Sequence, residues 1–161
     1  MEFKILTDTN DEIKRLRYNT FVVERNVPEE IEFDGKDSEF LHFTLWEGDK
    51  LIACLRANEN GDLLHMGRFA VEKELRKNGY GKILMEKLIE YAKEKGYRGV
   101  ELSAVETAVG FYEKQGFKTF GDYYLGYCFI PLVTLSHSYS HNNGNIFNIT
   151  AVITSAEYKN R

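Results

Sequence analysis

The 161-residue sequence contains little cysteine and little proline. Its two cysteines, Cys54 and Cys128, are far apart and form no CxxC pair, which excludes a disulfide framework and a cysteine metal cluster. Two buried thiols in a reducing compartment are therefore expected. Because only Pro28 and Pro131 are present, no proline-rich linker divides the chain. This length predicts a single domain, which we expect over residues 1–135, with residues 136–161 as a C-terminal tail.

Long apolar runs are also absent. No stretch approaches the roughly 20 apolar residues that span a bilayer, and residues 1–8 lack the basic and apolar regions of a signal peptide. We therefore expect a cytoplasmic protein without a membrane partner. The net charge of -4 and the pI of about 5.6 argue against nucleic acid as a partner, because such proteins are held by contacts from basic residues to phosphates.

Hydrophobic residues make up 43% of the chain and charged residues 29%, the balance of a globular protein. Apolar periodicity predicts strands and helices in the order β-α-β-β-β-α-β-α-β-β. The predicted strands cover residues 3–7, 40–46, 51–56, 63–71, 100–104, 117–125 and 128–135, and the predicted helices cover residues 11–23, 81–95 and 107–115. This order indicates an α/β (α+β) fold with a mixed central sheet and helices on both faces.

A basic, glycine-containing segment, Arg76-Lys77-Asn78-Gly79-Tyr80-Gly81-Lys82, lies between a predicted strand and the strongest predicted helix. Glycines allow a tight turn with close backbone approach, and a helix N-terminus offers free N–H groups and a positive dipole end. The segment therefore predicts a pyrophosphate-binding loop. It lacks the spacer and Ser/Thr of a Walker loop and the third glycine of a dinucleotide fingerprint. A basic turn without a ligand is the alternative.

Two further segments add to this pattern. The loop resembles the R/Q-x-x-G-x-G/A signature of the GNAT superfamily of N-acetyltransferases, and residues 108–117, AVGFYEKQGF, are similar to its A-x-x-F-Y-E-K-x-G-F segment. Residues 21–28 are similar to a bacterial small-molecule subgroup of that family. The resemblance covers roughly residues 1–125. It implies a splayed mixed sheet of the acyl-CoA N-acyltransferase type, and direct acetyl transfer from acetyl-CoA to a primary amine in a ternary complex, without a metal.

The resemblance also implies roles for particular residues. Tyr112 matches the tyrosine that protonates the departing thiolate in many family members, while Val105 stands where many members have asparagine. The pantetheine arm would pair with main-chain groups of Phe69 and Val71. The pyrophosphate would lie on seven consecutive residues, namely Arg76, Lys77, Asn78, Gly79, Tyr80, Gly81 and Lys82.

The sequence does not decide which residue is the general base. His65 stands at a position where some family members have a glutamate base, and a hydrogen-bonded strand histidine is an equally good interpretation. Glu24, Glu32 and Asp34 are rival proton acceptors, and the acidic segment around them could attract an amine substrate; a solvated loop is the alternative.

Two wider alternatives also stay open. A catalytically weak or inactive CoA-binding regulatory module would account for Val105 and for the unfamiliar tail. The acceptor could equally be a peptide or protein amine. Residues 146–153 are apolar and β-prone, which is typical of an extra strand that pairs either within the chain or across a homodimer; a disordered segment is the third alternative.

Overall fold

A computed structural model of the chain describes residues 1–125 and 131–138, in which seven strands form one mixed sheet. Its strand order is β1-β2-β3-β4-β5-β7-β6, and only β4 and β5 are parallel neighbours. The strands are β1 (Glu2–Leu6), β2 (Leu41–Glu47), β3 (Lys50–Asn60), β4 (Leu63–Val71), β5 (Gly99–Val105), β6 (Lys118–Leu125) and β7 (Pro131–Ser138). The predicted mixed sheet is confirmed. Cys128 and the predicted strand over residues 146–153 lie outside the described residues.

The helices are α1 (Asp11–Arg17), α2 (Glu29–Glu32), α3 (Tyr80–Glu94) and α4 (Glu106–Glu113), with 3₁₀ turns at Asp37–Glu39 and Lys73–Leu75. The side chain of Asn10 caps α1 by accepting a hydrogen bond from the Ile13 N–H at 3.0 Å. The predicted single helix to Val23 is wrong in one detail. After α1 the backbone continues as a π-helical turn over Tyr18–Val23.

Each face of the sheet is covered by helices, as predicted. On one face, helices α3 and α4 pack against β4 through Leu84, Leu88 and Tyr112 on the helices and Leu64 and Met66 on the strand. The same, larger core contains one side of β5, with Val100, Leu102 and Ala104. Ile13 and Leu16 of α1 pack on the other face with Trp46, Cys54 and Ala70. We call these the α3 face and the α1 face. Alternation along β4 therefore puts His65 on the α1 face.

A β-bulge in β4 opens the sheet at one point. Cys54 pairs with Ala70 and Arg56 pairs with Gly67, so two residues of β4 stand opposite one residue of β3. Arg68, inside the bulge, has a φ of 54°. Parallel pairing of β4 with β5 ends nearby, at Met66 and Leu102. Beyond that pair the two strands separate, β4 staying with β3 and β5 with β7, which confirms the predicted splay.

A buried network of ion pairs ties the segment between α1 and β2 to the α1 face. Arg17 Nε donates to Glu32 Oε1 at 2.6 Å, and Arg17 Nη1 donates to Asp37 Oδ1 at 2.7 Å. Arg56 donates to the same Asp37 at 2.8 Å and to Asp34 Oδ2 at 2.5 Å. We call the three arginines and three carboxylates, completed by Arg68 on Glu32 at 2.8 Å, the buried charge network.

Replacing Arg17 with methionine tests how much this network stabilises the fold. Arg17 is 1% exposed and is one of two arginine partners of both Glu32 and Asp37, so Arg17→Met leaves each carboxylate with a single arginine and should lower the free energy of unfolding by about 3 kcal/mol, the low end for a broken buried ion pair. Urea denaturation measures this loss. Arg15→Met is the control, because Arg15 makes more exposed pairs with Glu12 and Glu72 and should lose at most about 1 kcal/mol. Equal small losses in both variants would contradict the interpretation.

Candidate functional site

The opening between β4 and β5 is lined on the α3 face by aromatic side chains. The Phe69 ring lies 5.7 Å from that of Phe111 and 6.3 Å from that of Tyr112, measured between ring centroids. Tyr112 also contacts Phe111 and Phe117 edge to face, at 5.2 and 5.7 Å. Together they form an apolar wall in which Tyr112 carries the hydroxyl group.

The start of α3 approaches this wall closely because Gly81 has no side chain. A Cβ atom built at Gly81 would lie 3.2 Å from Phe69 Cζ and 3.5 Å from both Phe111 Cζ and Val71 Cγ2. Even a methyl group at position 81 would require the Phe69 ring to shift by a few tenths of an ångström. The glycine that the sequence motif supplies thus favours close packing of the helix on the sheet.

The turn before α3 presents backbone N–H groups to the open end of the gap. Lys77 and Gly79 have positive φ angles of 67° and 86°, which turn the chain sharply into the helix. The first helical hydrogen bond runs from the Ile83 N–H to the Gly79 carbonyl at 3.1 Å. The N–H groups of residues 80–82 therefore precede the helical ladder, as at any helix start, and are positioned for an anion.

Arg76, the first residue of the predicted loop, is held by Glu24. Two guanidinium N–H groups donate to the two Glu24 carboxylate oxygens at 2.7 and 2.8 Å, and Arg76 Nε donates to the Val71 carbonyl at 3.0 Å. The hydrogen bonds from Arg76 lower the pKa of Glu24. Glu24, predicted as a substrate residue, is therefore paired with the predicted pyrophosphate-binding loop in this structure.

Tyr112 is 7% exposed. Burial raises the pKa of its phenol well above the ordinary value, opposed only weakly by the charge of Arg25. The hydroxyl group therefore carries its proton at neutral pH. The structure places the predicted acid at the wall of the gap, and its role in catalysis stays a prediction.

His65 lies at the point where the strands begin to separate, one residue before the last β4–β5 pair. Its Nδ1 atom is 3.4 Å from Oε1 of Glu101, its register partner on β5. Asn60 Nδ2 donates to the same carboxylate oxygen. Sequence analysis missed Glu101; the available signal was a single acidic residue in the otherwise uncharged strand Gly99–Val105.

Glu32 and Asp34, the other predicted substrate residues, belong to the buried charge network. Glu32 is 1% exposed, and its carboxylate forms ion pairs with Arg17 and Arg68. Asp34 is partly exposed and accepts two hydrogen bonds from Arg56. These two carboxylates are thus paired with arginines, whereas Glu29 and Glu30 of the same segment are exposed, and a role of the segment in attracting an amine stays a prediction. No local pattern in the sequence indicates that three arginines pair with this segment, because they lie in α1, β3 and β4.

Thermal stability measured at acidic pH should reveal how much the ionised Asp34 carboxylate stabilises the fold. Hydrogen bonds from Arg56 hold the pKa of Asp34 well below its usual range. A depressed folded-state pKa contributes stability that is complete above the unfolded value of about 3.9 and is lost as the pH falls below it. The difference in Tm between wild type and Asp34→Asn should therefore be constant at neutral pH and shrink below about pH 4, as calorimetry at several pH values would show. Asp49→Asn, in an exposed turn, is the control, and a pH-independent difference for Asp34 would contradict the assignment.

Two other kinds of site were sought in residues 1–125 and 131–138. No group of three or more His, Cys, Asp or Glu side chains there could hold a metal ion. Among the helices of the same residues, none combines the length and apolar character needed to cross a membrane.

The sequence and the structure both resemble acetyltransferases. The family model described as "Acetyltransferase (GNAT) family" matches residues 10–117. An uncharacterised N-acetyltransferase of Bacillus subtilis, YjcF, is 33% identical over 107 residues, covering 66% of this chain and 76% of that protein.

Solved structures share the fold. A putative N-acetyltransferase from Lactobacillus plantarum superposes with a TM-score of 0.78 at 25% identity, covering 85% of this chain and 97% of the other. A Bacillus subtilis acetyltransferase solved in complex with CoA superposes with a TM-score of 0.68 at 20% identity, covering 86% and 99%. At the latter identity the likeness concerns the fold alone.

Proposed function

This chain belongs to the GNAT family of acetyltransferases, and from that membership we propose that it transfers an acetyl group from acetyl-CoA to the primary amine of a small molecule, by direct attack in a ternary complex. The observation that carries the proposal is the gap between β4 and β5, which has free helical N–H groups at one end and Tyr112 in its wall. A soluble, cytoplasmic enzyme is part of the proposal.

The gap suits the two chemical parts of CoA. The pyrophosphate would bind to the backbone of residues 77–82, where the α3 dipole and Lys82 favour negative charge. The amide-containing arm would pair with the main chain of Phe69 and Val71, because β4 loses its partner β5 after Met66. The related Bacillus fold that binds CoA supports this assignment.

Acetyl transfer requires a neutral amine, stabilisation of the oxyanion, and a proton for the departing thiolate. We assign the role of proton donor to the thiolate to Tyr112, whose phenol stays protonated in its buried site. We assign the base to His65, because Glu24, Glu32 and Asp34 are all paired with arginines. A metal is not part of the proposed mechanism.

Charge at position 79 should control CoA binding. Gly79→Asp places a carboxylate beside the proposed pyrophosphate, whereas Gly79→Asn has the same size and similar tolerance of positive φ without the charge. Loss of one or two charged hydrogen bonds, about 1.5–3 kcal/mol each, should weaken binding about tenfold or more in the aspartate variant.

Calorimetric titration of both folded variants with CoA measures the difference. The asparagine variant should retain most of the affinity, because a Cβ at position 79 meets no atom within 4 Å. Equal affinities for the Asp and Asn variants would show that the pyrophosphate does not bind to this loop.

Tyr112→Phe should lower kcat while leaving the affinity for acetyl-CoA nearly unchanged. The ring and its contacts with Phe69, Phe111 and Phe117 remain, and only the proton donor is lost. General acid catalysis contributes about 10²–10⁴-fold, and the low end is expected here, because a thiolate is a fair leaving group. Steady-state kinetics with a reactive amine measures the loss.

Tyr91→Phe is the matched control, because Tyr91 packs edge to face on Phe43, away from the gap. It should retain wild-type kcat. A Tyr112→Phe enzyme within about threefold of wild type, with chemistry rate-limiting, would show that Tyr112 is a packing residue, since threefold corresponds to less than about 1 kcal/mol of barrier.

A CoA-binding module without turnover is the second candidate. One observation favours it: Val105 ends β5 and precedes α4, and its side chain makes no capping hydrogen bond, so it offers no polar group at a position where many relatives have asparagine. Incubation of the protein with acetyl-CoA and a panel of primary amines separates the candidates. Acetylated products support the enzyme, and tight CoA binding without any product supports the module.

A further inference from the structure

Glu101 is a buried carboxylate in an apolar strand. It is 3% exposed, and its neighbours Val100 and Leu102 belong to the core. In the part of the chain that the structure describes, no lysine or arginine forms an ion pair with it; His65 is its one ion-pair partner. Burying a carboxylate without a partner costs free energy. The contact with His65 is therefore expected to stabilise Glu101 in its buried position.

The geometry connects Glu101 to one particular ring nitrogen. Glu101 Oε1 lies 3.4 Å from His65 Nδ1, and Asn60 donates a hydrogen bond to the same oxygen. These contacts lower the pKa of Glu101, with the contact to His65 as the largest cause. Glu101 is therefore ionised at neutral pH and able to accept the Nδ1–H of a neutral imidazole.

The other ring nitrogen remains available. The His65 side chain is 41% exposed, whereas that of Glu101 is 4% exposed. No group among the described residues is hydrogen-bonded to His65 Nε2, so a proton on Nδ1 leaves the Nε2 lone pair available. His65 is also one residue before the pair at which β4 and β5 separate, next to the proposed reaction site.

We propose that Glu101 is a positioning residue that holds His65 as the Nδ1–H tautomer, with Nε2 free to accept a proton. This rests on the proposed function, in which His65 is the base. As the amine nitrogen bonds to the thioester carbon, its proton passes to Nε2. The carbon–sulfur bond then breaks, and Tyr112 protonates the leaving thiolate. Glu101 remains ionised and stabilises the imidazolium, which returns its proton to solvent while Tyr112 regains one.

Glu101→Leu tests the proposal, because leucine suits a buried position in the strand Gly99–Val105. The first measurement is ¹⁵N NMR of the histidine-labelled full chain at a pH where the ring is neutral, with His65→Gln used to assign the signals. The wild type should show predominantly the Nδ1–H tautomer at His65, and Glu101→Leu should shift it towards Nε2–H. An unchanged tautomer would overturn the proposal.

Kinetics provide the second measurement. Glu101→Leu should lower kcat about 10–100-fold, the usual range for a residue that orients a functional histidine, without changing the KM for acetyl-CoA. Glu59→Gln is the control, because it removes an exposed carboxylate from β3 that bonds Tyr97, and should retain wild-type kcat. A tautomer shift with unchanged kcat would also overturn the positioning role.

The two measurements separate this proposal from the proposed function. A wild-type protein that binds CoA but acetylates no amine would refute the enzyme, and with it any positioning role in catalysis, while the tautomer would still report whether Glu101 orients His65. If Glu101→Leu does not fold, Glu101→Gln replaces it. That variant keeps the shape but loses the charge, and it should move tautomer and kcat in the same directions by smaller amounts.

Discussion

The short parallel pairing of β4 with β5 is the constraint on which the rest of the site depends. Only four residue pairs join the two strands, from Leu63 with Gly99 to Met66 with Leu102. The bulge at Arg68 then turns β4 away, and the sheet stays whole because β3 and β7 hold the outer sides of the diverging strands. The gap thus exposes backbone groups of β4 inside a sheet, where they would otherwise be paired.

Arg68 connects this gap to the segment that carries α2. Its φ of 54° is strained for a residue with a side chain, and its guanidinium contacts the Ile31 carbonyl at 2.8 Å and the Glu32 carboxylate at 2.8 Å. The bulge is therefore supported from the α1 face by the buried charge network. One set of ion pairs fixes both the backbone of the gap and the loop beside it.

Most of the fold could be predicted from the sequence, because the patterns that specify its helices and turns involve residues close together in the chain. The apolar stripe of α3, the Asn10 cap and the glycines at 79 and 81 each act within one helical turn. The loop and Tyr112 were found through motifs of the same short range. The charge network could not be found that way, since Arg17 meets Glu32 and Arg56 meets Asp34 only after folding. The acidic segment therefore looked like a solvent-exposed loop.

Glu101 and the π-helical turn illustrate two other limits. A single acidic residue in a strand does not reveal which residue on the neighbouring strand faces it, because that depends on the parallel register. The turn over Tyr18–Val23 continues the apolar period of α1, so the change in hydrogen bonding leaves no trace in the pattern.

The composition of the buried charge network has a consequence for how an amine would reach the site. Three arginines neutralise three carboxylates within a few ångströms, so the network projects little net field into solvent. These three carboxylates therefore contribute little to steering a cationic amine from a distance. Discrimination among amines would then depend on the shape of the gap and on hydrogen bonds formed at short range.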